Sequence, residues 1–167
     1  MPIVITAERP DTPDATALVT ELEDHLAARY PAASRHGLSV ERLINEGVAF
    51  FVLRADGHAA GCGGIKLVDG EFGELKRMYV RPQFRGAKFG EMLIERLAAH
   101  ARAQGIGRLR LETGIHQTAA IRLYERVGFH RIPPFPPYRP DPLSQCFEKS
   151  LAAAADVQAP PAVGSAE

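Results

Sequence analysis

Leu18, Leu22 and Leu26 recur at every fourth position, which predicts a helix with one buried stripe. Asp11 or Thr12, followed by Pro13 and Asp14, supplies a capping side chain and then a proline tolerated in the first turn. Tyr30-Pro31 ends this helix, and residues 3–6 alternate weakly as a short strand ahead of it. Residues 32–37 show no period and read as a loop, after which Ser39 can cap a short helix through Leu43 and Ile44. The pattern then turns to strands. Residues 49–55 are rich in Phe and Val, Asp56-Gly57 is a strong two-residue hairpin signal, and residues 59–68 return. Asp69-Gly70 marks a second hairpin into residues 72–80. Glycines 61, 63 and 64 inside the middle strand predict close packing or a bulge.

The second half follows another rhythm. Residues 82–90 form a basic, glycine-bearing loop that opens a helix with Leu93, Leu97 and Ala101 on one face and Gln104-Gly105 at its end. Residues 108–113 alternate as a strand, residues 118–127 form a shorter helix, and Gly128 stops it. The strand–helix–strand order from Met78 to Glu112 implies a right-handed crossover and a parallel pair within an otherwise antiparallel sheet. A proline-rich link over residues 133–142 leads to a last strand at residues 143–151. Beyond it the chain is Ala, Pro, Gly and Ser without period. The expectation is one α/β domain over residues 1–151, with a mixed sheet of six or seven strands, and a disordered tail over residues 152–167.

Composition narrows this picture only a little. The 167 residues suit one domain, and a hydrophobic fraction of 46% is ample for a core. Lys plus Arg equals Asp plus Glu at 20 each, so no net field favours nucleic acid or an anionic membrane. The first residues are too short an apolar run for a signal peptide, and no stretch approaches the roughly 20 apolar residues that span a bilayer. Cys62 and Cys146 show no metal-ligand spacing and read as two reduced core thiols. A cytoplasmic address and no bound metal are the expectations.

The most informative segment is residues 78–90, where a strand leads through a glycine-containing turn into a helix N-terminus. Such a terminus presents unpaired N–H groups and the positive end of the helix dipole, which together bind phosphate. Arg81, Arg85 and Lys88 add positive charge there. A solvated basic connection would look the same. The two commonest phosphate loops are excluded: no Gly-Lys-Ser/Thr closes the segment, and only Gly86 and Gly90 of a Gly-x-Gly-x-x-Gly pattern are present.

Val80-x-Pro82-x-x-Arg85-Gly86 with Gly90, then an amphipathic helix, then Leu109-x-Leu111-Glu112, then Ala120-x-x-Leu123-Tyr124-Glu125-x-x-Gly128-Phe129, resembles the GNAT superfamily of acetyl-CoA-dependent N-acetyltransferases. The match runs in order from about residue 72 to residue 129, and the flanking hairpins and last strand fit that fold. The resemblance implies a GNAT-like, mostly antiparallel sheet flanked by about four helices, with a central parallel pair that splays near Val80 and Glu112. It implies that Met78, Tyr79 and Val80 bond the pantetheine arm like an added strand. It implies that Arg85, Gly86, Ala87, Lys88, Phe89 and Gly90 hold the pyrophosphate through main-chain N–H groups. Gln117 and Ala120 complete the cofactor site it implies. Two positions depart from the family pattern: Lys88 stands where a glycine is usual, and Gln117 where many relatives carry asparagine.

Aminolysis of a thioester needs a neutral amine, a stabilised oxyanion and a proton for the leaving thiolate. By the resemblance Tyr124 is the proton donor and the Val80 N–H the oxyanion donor; packing of the Tyr124 ring on the sheet is the alternative. For a general base the candidates are Glu74, then Glu112, with His116 behind them; Glu74 could equally pair with Lys76 or Arg77. Arg77 and Tyr79, on the strand face opposite Met78 and Val80, and Phe135 and Tyr138 from the proline-rich link, could wall an acceptor pocket or simply pack. The function expected is transfer of an acetyl group from acetyl-CoA to an amine of a small molecule or peptide. A non-catalytic acetyl-CoA sensor and a domain binding another pyrophosphate nucleotide are the competing readings. A homodimer stays open.

Overall fold

The structure is a computed structural model that describes residues 1–151; the tail expected over residues 152–167 lies outside the described residues. Strand β1 (Ile3–Ala7) is followed by helix α1 (Pro13–Ala27), whose Thr12 cap accepts a hydrogen bond from the Ala15 N–H. Helix α2 (Val40–Asn45) starts at Ser39, whose hydroxyl accepts from the Arg42 N–H. Strands β2 (Ala49–Ala55), β3 (His58–Val68) and β4 (Phe72–Val80) form the antiparallel meander read from the sequence. Both hairpin turns have positive φ at both central residues, 52° and 81° at Asp56-Gly57 and 52° and 69° at Asp69-Gly70. That geometry matches the twist of the flanking strands and explains the Asp-Gly pairs.

Helix α3 (Phe89–Ala103), strand β5 (Arg108–Gly114), helix α4 (Thr118–Arg126), strand β6 (His130–Ile132) and strand β7 (Ser144–Ser150) complete the chain. The seven strands form one sheet in the order β1-β2-β3-β4-β5-β7-β6. Strand β6 was not anticipated. Its three residues are too few to show a period, and it exists because β7 supplies the pairing, with His130 opposite Glu148 and Ile132 opposite Cys146.

One face of the sheet is covered by α3 and α4, with Leu97, Leu109, Leu111 and Phe147 buried between them. The other is covered by α1 and α2, with Leu18, Leu43, Val52 and Cys62 in its core. Cys62 and Cys146 are both free and buried, as read from the sequence, and burial pushes the Cys62 thiol up to about 12.

Two irregularities position the site. Cys62 pairs with Tyr79 but Gly64 with Lys76, so Arg77 and Met78 together oppose Gly63. This is a β-bulge, and it holds Arg77 at a φ of 55°, in the left-handed region. Gly63 is required at this crossing, since a Cβ there would lie 2.6 Å from the Met78 sulfur. The second irregularity is the brevity of the parallel pair. β4 and β5 pair only at Gly73–Leu109 and Glu74–Arg110, after which β5 stays with β7 as far as Gly114–Ser144. The second half of β4 is left with an open edge.

Candidate active site

The open edge of β4 and the start of α3 line a cleft of about 560 Å³. Met78, Tyr79 and Val80 form one wall, Arg85, Gly86, Lys88, Phe89 and Gly90 the floor, and Gln117, Ala120 and Tyr124 the opposite wall. Of the cofactor residues expected from the sequence, only Ala87 is not part of the lining.

The first helical bond from the α3 cap runs from the Met92 N–H to the Lys88 carbonyl, at 3.1 Å. The N–H groups of Phe89, Gly90 and Glu91 therefore have no acceptor within the helix. Lys88 occupies the cap with a φ of 66° and makes no side-chain capping bond. This explains the family's glycine: the backbone is left-handed there, and a lysine holds it at a cost. Gly86, at a φ of 90°, needs its glycine for the same reason. Gly90 serves a close approach instead, since a Cβ would lie 2.6 Å from Leu123 Cδ2 on α4.

Cationic side chains gather at the same end. Arg29, Arg85 and Lys88 line the cleft, and His25 in its wall is held below the usual histidine value by burial and by the charges of Arg29 and Arg85. Free helix N–H groups, a left-handed glycine turn and three cations fit the diphosphate of a nucleotide cofactor. Arg81, counted as part of this charge in the sequence, turns away. Its guanidinium pairs with Glu21 of α1 at 2.7 Å and donates to the Ala59 carbonyl at 2.9 Å.

A second cavity of about 120 Å³ adjoins the cleft, and Met78, Gln117, Ala120 and Tyr124 belong to the walls of both. Tyr124 is buried, with its ring edge-on to Phe129 at 5.6 Å and against Phe147 at 6.5 Å. Among the described residues no hydrogen bond engages its hydroxyl. Burial, with a smaller effect from Glu112, pushes that phenol well above the usual tyrosine value, so it stays protonated.

Glu112 lines the smaller cavity and accepts a 2.7 Å hydrogen bond from the Ser144 hydroxyl. Burial raises its carboxyl above the ordinary range against the pull of Ser144, His36 and Lys76. Glu74 is placed differently. It is buried behind Lys76, which pairs with it at 3.0 Å, and Tyr138, which donates to it, and it lines neither cavity. His116 lines the larger cleft, its ring stacked on Tyr30 at 5.5 Å.

Of the other residues considered as acceptor walls, Arg77 and Tyr138 line the smaller cavity and Tyr79 the larger. Phe135 packs edge-on against Phe72 at 5.5 Å and lines neither. Sequence reasoning missed residues 30–37 altogether. Tyr30, Ser34, Arg35, His36 and Gly37 all line the smaller cavity, although their segment has no period. The available signal was chemical: Tyr, Ser, Arg and His within eight residues of a polar loop. Tyr30 ties this loop to the site by donating to Gln117 Oε1 at 3.3 Å and accepting from the His116 N–H at 2.9 Å. Gln117, the second departure from the family pattern, also lies 3.4 Å from His25 Nε2.

A splayed parallel pair, a helix N-terminus at its mouth and a buried phenol between two cavities define a group-transfer site for a phosphate-bearing donor. The chain belongs to the acetyltransferase (GNAT) family, whose model matches residues 15–129. It is 43% identical to an IAA acetyltransferase of Azospirillum brasilense over 90% of this chain and all of that protein. A putative acyl-CoA N-acyltransferase from Klebsiella pneumoniae superposes with a TM-score of 0.75 at 39% identity, covering 90% of this chain and 98% of that one. An N-acetylglutamate synthase from Neisseria gonorrhoeae, solved with coenzyme A and N-acetyl-glutamate, gives a TM-score of 0.72 at 25% identity over 91% of this chain and 36% of that one. The protein is an acetyl-CoA-dependent acyltransferase with the GNAT fold, and the reading as a non-catalytic sensor is set aside.

Proposed function

We propose that this enzyme acetylates a primary amine of a small molecule or peptide by direct attack on the thioester, with acetyl-CoA in the larger cleft and the amine in the smaller cavity. The observation that carries the reading is the position of Tyr124, in the wall shared by the two cavities. The α3 N-terminus and Arg85 bind the diphosphate, and the open edge of β4 at Met78, Tyr79 and Val80 takes the pantetheine amides as a further strand would.

The amine must lose a proton to attack. Glu112, in the acceptor cavity and made more basic than a free carboxylate by burial, takes it directly or through water. Glu74 is the weaker candidate because Lys76 and Tyr138 already occupy it. The Val80 N–H donates to the oxyanion as the C–N bond forms. The C–S bond then breaks and the thiolate leaves toward Tyr124. A thiol of pKa about 8.5 is a stronger acid than this buried phenol, so Tyr124 supports the thiolate as a hydrogen-bond donor. The nitrogen sheds a second proton as the intermediate collapses; that one ends on the thiol released, and the first passes from Glu112 to solvent. Two free buried thiols suit a reducing cytoplasm.

Thiol release from acetyl-CoA, followed across a panel of primary amines, tests this reading. At least one amine should release thiol with a matching mass gain of one acetyl group. Tyr124→Phe should then lower kcat about 100-fold with little change in KM for acetyl-CoA. An unchanged kcat would remove Tyr124 from the mechanism, and thiol release without an acetylated amine would overturn the assignment of an amine acceptor.

A further inference from the structure

Two arginines in the wall of the smaller cavity lean on a single carboxylate. Arg77 rises into its wall from the β4 bulge with a side chain only 4% exposed. Its Nε donates to the Leu38 carbonyl at 3.0 Å and its Nη2 to Glu23 at 2.9 Å, while its Nη1 is buried without a partner. Arg35, from the neighbouring loop, places Nη1 on the other oxygen of the same Glu23, and its Nε is likewise buried without a partner. Two guanidinium groups thus share one carboxylate. Glu23 feels both: burial alone would raise its carboxyl, yet hydrogen bonds from Arg77 and Arg35 bring it below the usual range.

The other ionic groups of the cavity have partners of their own: Lys76 pairs with Glu74, Asp141 accepts from Ser34 at 2.7 Å, and Glu112 accepts from Ser144 at 2.7 Å. An unpaired buried N–H donor costs about 1–3 kcal/mol, and an unmatched buried charge costs more. Two guanidiniums that share one carboxylate, in the wall of the smaller cavity, are what a bound anion would balance. Arg77 is moreover held there in a left-handed conformation, the kind of strain that collects at ligand sites.

We propose that the acceptor is a small amine that also carries a carboxylate, held by the guanidinium groups of Arg77 and Arg35 while its amino group faces Glu112 and Tyr124. This rests on the assignment of the cavity to the acceptor made above. The planar fork of a guanidinium matches the two oxygens of a carboxylate, which an ammonium or a carboxamide cannot replace. A cavity of about 120 Å³ suits an amino acid better than a folded protein surface.

The test compares matched acceptors: α-amino acids and short ω-amino acids, each against its own carboxamide and, where one exists, its aminophosphonate. The readout is kcat/KM from thiol release with the wild-type enzyme, which requires no variant to fold. The carboxylate member is expected to exceed its carboxamide at least tenfold, about 1.4 kcal/mol of discrimination. Arg35→Gln, at the more exposed of the two arginines, should bring that ratio toward one through KM. Equal rates for carboxylate and carboxamide, or a preference for the phosphonate, would overturn the carboxylate subsite while acetyl transfer to amines stands. An Arg35→Gln enzyme that slows both members equally would make Arg35 merely structural and also overturn it. If acetyl-CoA raises the melting temperature but no amine in the panel is acetylated, the amine-acceptor reading and the subsite fall together.

Discussion

Glu112 shows how one side chain links the chemistry of the site to the stability of the protein. Burial raises its carboxyl, so the folded state holds the proton more tightly than the unfolded chain. The stability linked to that proton is complete below the unfolded value of 4.5 and is lost as pH rises through the raised folded value. Glu112→Gln mimics the protonated form and can still accept from Ser144. Its unfolding free energy should therefore gain on wild type as pH rises from about 4.5 to about 8, by urea titration at each pH. A gain that shrinks with pH would mean that Glu112 is stabilised as the anion. The same variant should lose acetyl transfer at every pH if Glu112 is the base. Tyr124 and Glu112 could both be named from the sequence, Tyr124 from its motif and Glu112 from its strand, but the order of the two candidate bases could not. Glu74 stood first, but in the structure Lys76 and Tyr138 engage its carboxylate and it lines neither cavity.

At the scale of elements, the start of α3 concentrates most of what distinguishes this chain. Lys88 holds a left-handed backbone that costs a non-glycine residue about 1–2 kcal/mol, partly offset because glycine loses more entropy on folding. Lys88→Gly is thus expected to change stability by about 0–1 kcal/mol, in the stabilising direction, in a thermal melt without ligand. Acetyl-CoA affinity should hold or tighten by calorimetry, because the N–H groups of the turn remain. A tenfold weakening would show instead that the ammonium contributes a direct phosphate contact. The helices and the meander were readable because each has a period or a turn signal of its own. The bulge at Arg77–Met78 was hinted at only by Gly63 and Gly64, and β6 by nothing, since its existence depends on its partner.

Across the whole molecule, the fold separates a rigid half from a receptive one. β2 and β3 are paired on both edges, whereas the second half of β4 and the turn before α3 carry donors and acceptors without strand partners. Hydrogen exchange with and without acetyl-CoA should therefore show added protection in residues 75–80 and 86–91, with β1 and β2 little changed. Uniform protection over all strands would argue for global stabilisation with no strand-like contact to β4. Saturating acetyl-CoA, at about 100 times its Kd, adds about 2.7 kcal/mol to the folded state. The melting temperature should then rise by roughly 5–10 °C for a domain of this size.

The sequence by itself determined the fold class, the order of nearly every element, the glycine-bearing turn into α3 and the family, because each of these is written in local periods, caps and contiguous motifs. The tertiary structure alone decided where β4 breaks from β5, which carboxylate lines the smaller cavity, and that Tyr30 and residues 34–37 wall it. It also paired Arg35 with Arg77 over the single carboxylate of Glu23. These are relations between residues far apart in the chain, set by the way a bulged strand and an aperiodic loop pack together. No local pattern encodes such a meeting, so a cavity's charge becomes visible only when its walls do.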